Sequence, residues 1–294
     1  MENRNNDPKS VLMIITSMMI FGSIGLFRRN LPLSSGFLAL FRGLAGGLLI
    51  FLFMRLKNRN RVRMTRRQLL GLALSGAFMG INWILLFEAY NYTSVAVATL
   101  CYYMQPTIVI LLSPLIFRER LTVRKGLCAA VAVAGMFLIS GAAGSMGEQG
   151  KDIRGMLLGL GAAVFYACVV ILNKKISGID AYPKTTVQLF SAGIAMIPYL
   201  LLTGGFPSGG FDTQTIVLLL ILGVVHTGIA YVLYFGSLDG LRAQSAALFS
   251  YADPLFALLF SVVFLREPLA VPVIIGAALI IGSAVISEAD GKKR

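Results

Sequence analysis

Apolar segments of membrane-spanning length follow one another along nearly all of this 294-residue chain. A bilayer core about 30 Å thick is crossed by a helix of about 20 apolar residues. We place ten such segments at residues 10–27, 36–54, 68–90, 94–117, 123–140, 154–172, 185–203, 215–237, 244–265 and 270–287. Charged residues make up 13% of the chain, about half the share typical of soluble domains. The sequence therefore predicts an all-α integral membrane protein with ten transmembrane helices.

The second half of the chain repeats the first at an offset of 148 residues. Between residues 80–123 and 228–271, fourteen of forty-four aligned positions are identical without a gap. The identical residues include Tyr103 and Tyr251, Pro106 and Pro254, Arg118 and Arg266, and Glu119 and Glu267. Each copy holds five spans, an odd number, so the second copy enters the membrane in the opposite direction. We predict two inverted five-helix repeats, residues 1–145 and 146–294.

Basic residues are divided unequally between the two predicted membrane faces. Twenty Lys and Arg residues fall on the face that carries both termini, and five fall on the other. By the positive-inside rule, both termini are expected in the cytoplasm, with the protein in the cell membrane. The net charge of +13 does not indicate nucleic acid as a partner, because the basic residues separate apolar segments and do not line one soluble face.

Four ionisable residues lie inside predicted spans, where each costs about 2.5–3.5 kcal/mol at a helix centre. They are Arg42, Glu88, His226 and Asp253. Asp253 lies midway through its span beside a proline, which suits binding of a substrate or a proton; the alternative is a carboxylate that only caps a kink. His226 and Glu88 are further candidates for proton coupling, and for His226 a packed hydrogen-bonding role is the alternative. Arg42 and Glu88 lie at similar depth, which predicts a structural ion pair.

Aromatic and polar residues at comparable depth suggest a site for a small organic ligand. The predicted substrate-binding residues are Asn82, Trp83, Tyr102, Tyr103, Gln105, His226, Tyr231, Tyr251 and Asp253. A second set is predicted to be structural, at kinks, helix ends and tight turns: Arg42, Pro106, Pro254, Arg118, Glu119, Arg266 and Glu267. The three cysteines lie in apolar runs and match no metal motif. We expect no metal and no cofactor.

Several short motifs, taken in their order, resemble the EamA-type family of the drug/metabolite transporter superfamily. They are the stretch 89–94, Pro106, residues 118–121 and Gly135 in the first copy, then residues 231–237, Pro254, Arg266, Glu267 and Leu269 in the second. Arg42 also matches an arginine common in the second span of that family. The resemblance covers nearly the whole chain. It implies ten spans in two repeats and a carrier of small metabolites, often an exporter of amino acids or related compounds.

Inverted repeats, broken helices and polar residues at mid-membrane occur together in carriers that work by alternating access. We therefore predict a secondary transporter of a small metabolite, with the proton as a possible coupling ion. An intramembrane enzyme is the alternative from another class, but a single histidine and a single well-placed aspartate provide neither a two-histidine metal site nor an aspartyl dyad. A membrane scaffold or sensor is a further alternative that would not need Asp253 and His226 at mid-depth.

Overall fold

The computed structural model describes residues 7–57, 63–117, 122–146, 149–241 and 243–289. Every regular element in these ranges is a helix. The first half contains α1 (Pro8–Gly22), α2 (Ile24–Arg29), α3 (Ser35–Leu56), α4 (Arg66–Tyr92), α5 (Val95–Tyr102), α6 (Gln105–Phe117) and α7 (Val123–Met146). The second half contains α8 (Gln149–Lys175), α9 (Ala181–Thr203), α10 (Thr213–Leu220), a π-helical segment (Ile221–Ile229), α11 (Ala230–Leu238), α12 (Ala243–Ser250), α13 (Ala252–Leu265) and α14 (Val271–Ala289).

Helices of membrane-spanning length and apolar composition dominate the fold. Among the described residues, eight are long and apolar enough to cross a bilayer, and the apolar helix Val271–Ser287 is shorter. Large apolar side chains on their outer surfaces are open to the surroundings, including Leu115 and Leu202, which are 80% and 87% exposed. An exterior with many exposed large apolar side chains is favourable in lipid and unfavourable in water. The chain is therefore a multi-pass helical membrane protein.

Two of the predicted spans are interrupted in the middle. The span 94–117 is divided between α5 and α6 at Tyr103 and Met104, and the span 244–265 is divided between α12 and α13 at Tyr251. Each interruption is followed within three residues by a proline, Pro106 or Pro254. A proline is well tolerated in the first turn of a helix, where the backbone N–H has no partner in any case. The prolines thus begin new helices and do not kink continuous ones.

The segment between the predicted repeats is more helical than its glycine-rich composition indicates. Polar and glycine residues over 141–152 predict a linker, but α7 continues to Met146 and α8 begins at Gln149. The predicted fifth span, 123–140, lies within α7, which packs along α14. The predicted boundary between residues 145 and 146 therefore falls in the last turn of a helix.

Close helix packing at the centre of the molecule depends on glycine. Helix α3 packs along α9, and α4 packs along both α8 and α9. A Cβ atom on Gly43 would lie 2.5 Å from the backbone nitrogen of Gly193 and 2.6 Å from the carbonyl oxygen of Leu189. Small residues let helix backbones approach closely in a membrane, where lipid supplies no hydrophobic force between helices. Gly43 therefore marks a close approach of α3 to α9.

Candidate functional site

The two interrupted helices meet through a hydrogen bond. The hydroxyl of Tyr103, at the break between α5 and α6, donates to Oδ2 of Asp253 in the first turn of α13. Both side chains are half-buried within the helix bundle. Tyr251, the repeat counterpart of Tyr103, is buried at the N-terminus of α13, and Gln105, the counterpart of Asp253, is the first residue of α6. The two breaks therefore face each other.

Several tyrosine side chains lie within electrostatic range of this carboxylate. The ring of Tyr102 makes edge contacts with Tyr103 and Tyr166, with 5.6 Å between the ring centroids in each pair. Asp253 interacts electrostatically with the hydroxyl groups of five tyrosines, namely Tyr90, Tyr102, Tyr103, Tyr166 and Tyr231. We call these five residues the tyrosine cage. Phenol rings offer apolar faces together with hydroxyl groups that can donate or accept, which suits contact with a small organic ligand.

Arg42 is a buried residue of α3 within electrostatic range of the tyrosine cage. Its guanidinium carbon lies 4.3 Å from the centre of the Trp83 ring and 5.3 Å from that of Phe87. Its Nε donates to Oγ1 of Thr227 at 3.0 Å, and the residue is 3% exposed. It interacts electrostatically with three members of the cage, Tyr90, Tyr102 and Tyr231. The same three tyrosines thus interact electrostatically with both Arg42 and Asp253.

The predicted ion pair between Arg42 and Glu88 is wrong. Glu88 accepts from Ser35 at 2.6 Å and from Asn91 at 3.1 Å, close to the C-terminal end of α4. The physical reason is depth. Ser35 begins α3, and Arg42 lies seven residues further along the same helix, about 10 Å at 1.5 Å per residue. Glu88 reaches the start of α3, two turns away from the guanidinium.

His226 is held within the π-helical segment and does not contact Asp253. Its Nε2 lies 2.9 Å from Oγ of Ser23, at the break between α1 and α2, and its Nδ1 lies 3.2 Å from the carbonyl oxygen of Ile221. The Phe27 ring packs against it at 4.6 Å. His226, a predicted substrate-binding and proton-coupling residue, therefore forms its hydrogen bonds with Ser23 and the π-helical backbone and none with Asp253.

The remaining predicted ligand residues occupy two further environments. Asn82 is buried at the contact between α4 and α8, where its Nδ2 donates to the carbonyl oxygen of Ala162 at 2.7 Å. Its Oδ1 has no partner among the described residues. Tyr231 stacks on Phe235 at 5.8 Å and makes an edge contact with Phe21 at 5.2 Å. Tyr231 thus belongs to the tyrosine cage, whereas the Asn82 amide joins two helix backbones.

Glu267 connects the turn after α13 to the N-terminus of α5. Its Oε2 and Oε1 accept from the backbone N–H of Val95 at 2.9 and 3.2 Å, the Ser261 hydroxyl donates to it, and Arg29 approaches Oε1 at 2.9 Å. A carboxylate here satisfies a free N–H and interacts favourably with the helix dipole. Arg266 ends α13 in a left-handed conformation with a φ angle of 53°. The equivalent residues Arg118 and Glu119 lie outside the described residues.

A cavity of about 480 Å³ opens beside this carboxylate. Its wall includes Arg29, Thr93, Asp152 and Glu267. The Thr93 hydroxyl donates to Oδ1 of Asp152 at 2.8 Å, which ties the α4–α5 connection to α8. No group of three His, Cys, Asp or Glu side chains in the described part of the chain is arranged to hold a metal ion. The polar groups of this cavity thus bind one another and connect α2 and α8 to the turns that follow α4 and α13.

Sequence reasoning missed several residues that complete these sites. They are Ser23, Arg29, Tyr90, Thr93, Asp152, Tyr166 and Thr227. Tyr166 is an isolated tyrosine in an apolar helix and has no aromatic counterpart 148 residues away, so the repeat did not indicate it. Arg29 is a charged residue at the end of a predicted span, but the hydropathy pattern does not predict its ion pair with Glu267. Partners distant in sequence are found only after the helices are packed.

These observations define a multi-pass helical membrane protein with opposed helix breaks and a polar site in its interior. The sequence profile of the EamA-like transporter family matches residues 8–141 and again residues 153–288. The chain belongs to the EamA-like transporter family. The resemblance expected from the motifs is thereby confirmed, and the family points to a transporter and not to an enzyme.

Relatives of known name agree with this family. The chain is 30% identical over 256 residues to the uncharacterized transporter YxxF of Bacillus subtilis, covering 87% of this chain and 81% of YxxF. It is 28% identical to protein RarD of Salmonella typhimurium and 27% identical to protein PecM of Dickeya dadantii. These matches cover 70% and 71% of this chain and 68% and 70% of the relatives. A solved crystal structure of 22% identity superposes with a TM-score of 0.64 over 95% of this chain and 97% of its own, a likeness of fold alone.

Proposed function

We propose that this protein is a secondary transporter that carries a small metabolite across the cytoplasmic membrane by alternating access. The hydrogen bond from Tyr103 to Asp253 carries the proposal, because it joins the two broken helices at the centre of the bundle. A bound solute or proton that changes this contact acts on both helices at once. Broken helices at a central site are the usual construction of such carriers.

The packing of the helices supports two inverted repeats of five spans each. In such a duplication, each span of the first half has a counterpart in the second. The contact of α4 with α8 has its counterpart in the contact of α11 with α1, and the contact of α1 with α13 has its counterpart in the contact of α8 with α6. The contacts of α3 with α9 and of α7 with α14 map onto themselves. The two separate matches to the family profile, residues 8–141 and 153–288, also support a duplication. A carrier built this way can rock one half against the other around a fixed site.

The chemistry at Asp253 supports proton coupling. The ionised carboxylate accepts from Tyr103 and lies among the other tyrosines of the cage, with no basic side chain within 4 Å among the described residues. Without a nearby cation, the ionised form of the Asp253 carboxylate is stabilised only by the hydrogen bonds that it accepts. Binding a proton removes the charge, so the same group can hold either a proton or a cationic part of the solute. Export of an amino acid or a related compound is the activity that we propose for this exchange.

The decisive test is Asp253→Asn in proteoliposomes that contain a pH-sensitive dye. Solutes are first selected by thermal shift of the purified protein against amino acids, nucleosides, sugars and cationic amphiphiles. We expect a selected solute to change the internal pH with the wild-type protein, and Asp253→Asn to fold but to lose this pH-dependent transport. Asp239→Asn, an exposed aspartate at the end of α11, is the matched control and should behave as wild type. Unchanged rate and pH dependence in Asp253→Asn would reject the coupling role.

A further inference from the structure

Arg42 is a buried cation with no counter-ion in the described part of the chain. It is 3% exposed, and no carboxylate among the described residues lies within 4 Å of its nitrogens. The carboxylate expected to neutralise it, that of Glu88, is bound by Ser35 and Asn91. Buried charges are normally paired, because removing an ion from water is costly. Arg42 is therefore a charge for which the described protein supplies no anion.

The contacts of Arg42 hold its guanidinium group but use only part of it. Nε donates to Thr227, and the group lies over the faces of Trp83 and Phe87. The two terminal nitrogens form no hydrogen bond with any described residue. An arginine that is held by its Nε and by stacking on an aromatic ring can still donate two parallel hydrogen bonds from its terminal nitrogens. A carboxylate has the planar geometry that accepts both of these hydrogen bonds.

The position of Thr227 strengthens this orientation. Thr227 is fully buried in the π-helical segment, where its hydroxyl accepts from Arg42 and donates to the carbonyl oxygen of Leu222 at 3.1 Å. Because the Thr227 hydroxyl donates its proton to the Leu222 carbonyl, its oxygen can only accept the hydrogen bond from Nε of Arg42. π-helical turns are rare in proteins and occur often at functional sites. The local irregularity thus fixes an acceptor against one edge of the guanidinium.

We propose that Arg42 binds the carboxylate of the transported solute through its two terminal nitrogens. This inference rests on the proposed transport function and adds the residue that recognises the cargo: Arg42 binds the carboxylate of a solute such as an amino acid, and the body of that solute packs against Trp83 and the tyrosine cage. Tyr90, Tyr102 and Tyr231 interact with both Arg42 and Asp253. The body of the solute would thus pack near tyrosines that interact with both charged groups.

Matched pairs of compounds, each an acid and its amide, test the proposal even when the natural cargo is unidentified. The purified protein is heated in the presence of benzoate or benzamide, phenylacetate or phenylacetamide, and L-phenylalanine or L-phenylalaninamide at millimolar concentration. We expect at least one carboxylate to raise the midpoint of thermal unfolding while its amide does not. Arg42→Gln should weaken binding of that carboxylate by about tenfold or more, the effect of losing hydrogen bonds to a charged group. Arg42→Lys, which keeps the charge without the fork, should give an intermediate loss.

Two further variants separate ligand binding from a purely structural role. Arg55→Gln alters an exposed arginine on the same helix that stacks on Phe51 at 4.9 Å, so it should leave the carboxylate shift unchanged. Thr227→Val releases Nε and keeps the charge, so it should weaken carboxylate binding even if Arg42→Gln does not fold. Equal shifts with acids and amides, no shift with any carboxylate, or a full carboxylate shift in Arg42→Gln would each overturn the proposal.

The same measurements distinguish this inference from the proposed function. If carboxylates stabilise the protein in an Arg42-dependent way but no flux is seen in proteoliposomes, Arg42 binds carboxylates and the proposed transport is rejected. If cationic or neutral solutes are transported and Arg42→Gln does not change their flux, the transport function is supported and the carboxylate site is rejected.

Discussion

At the scale of single residues, Asp253 and Arg42 show two ways in which a charged group is held among apolar helices. Asp253 accepts a hydrogen bond from a tyrosine of the other broken helix, whereas the guanidinium of Arg42 stacks on two aromatic rings and donates to one threonine oxygen. Hydrogen bonds to charged groups contribute about 1.5–3 kcal/mol net, more than those between neutral groups. The Tyr103–Asp253 contact should therefore be measurable as a coupling free energy.

We predict that Tyr103→Phe lowers the free energy of unfolding by about 1–3 kcal/mol, because the Asp253 carboxylate loses its donor. The same change in the Asp253→Asn background should cost clearly less. A double-mutant cycle by chemical denaturation in detergent measures the difference. Tyr199→Phe, at a 43% exposed tyrosine of α9, is the control and should add to Asp253→Asn within about 0.5 kcal/mol. Full additivity in the Tyr103 cycle would show that the hydrogen bond contributes nothing to stability.

At the scale of helices, glycine in α3 determines how closely the central helices approach. Gly43 lies against the backbone of Gly193 in α9, and Gly46 lies against the side chain of Thr227 in the π-helical segment. The second contact brings Thr227 close enough to α3 to accept from Arg42. A small residue is thus needed for the geometry of the candidate site as well as for stability.

We predict that Gly43→Ala destabilises the protein by about 1–3 kcal/mol, the usual cost of overpacking. The new Cβ would lie 2.5 Å from a backbone nitrogen, and a backbone cannot move aside cheaply. Gly282→Ala in α14 is the matched control, since a Cβ there meets no atom within 4 Å. It should be neutral or stabilising by up to about 1 kcal/mol, because alanine favours the helix. Thermal unfolding of both variants in detergent compares them, and equal midpoints would contradict the role given to Gly43.

At the scale of the whole molecule, the charge distribution of the connecting loops determines the expected orientation. The loop between α3 and α4 and the C-terminal tail are strongly basic, while the loop between α9 and α10 carries no Lys or Arg. By the positive-inside rule, we expect both termini to face the cytoplasm and the α9–α10 loop to face outward. The cavity beside Glu267 would open on this outer face.

Reporter fusions test this orientation. A reporter that is active only outside the cytoplasm should be inactive when it is fused after Arg294 and strongly active when inserted in residues 204–212. In that loop a Cβ on Gly209 or Gly210 would meet no atom within 4 Å, so an insertion there should not disturb the packing. A reporter that is active only in the cytoplasm should give the opposite pattern. The reverse result with both reporters would reject the N-in, C-in arrangement.

The sequence alone determined the class of this protein and its family, because these depend on local properties. The length and hydropathy of each segment predicted helices of membrane-spanning length, and the spaced motifs around Pro106 and Pro254 indicated the family. The internal repeat also identified Tyr103 and Asp253 as candidates. It could not show that they bind each other, because contact depends on how two helices are rotated and how deeply each is placed.

Only the tertiary structure decided the partners of the buried polar groups. One residue along a helix rotates a side chain by about 100° and moves it 1.5 Å, so similar depth in the sequence did not make Arg42 and Glu88 meet. Glu88 binds Ser35 at the start of α3, and Arg42 binds Thr227 two turns deeper. The π-helical segment that presents Thr227 has no signal in hydropathy, since an irregular helix is as apolar as a regular one. Packing against α3 brings its threonine to the arginine.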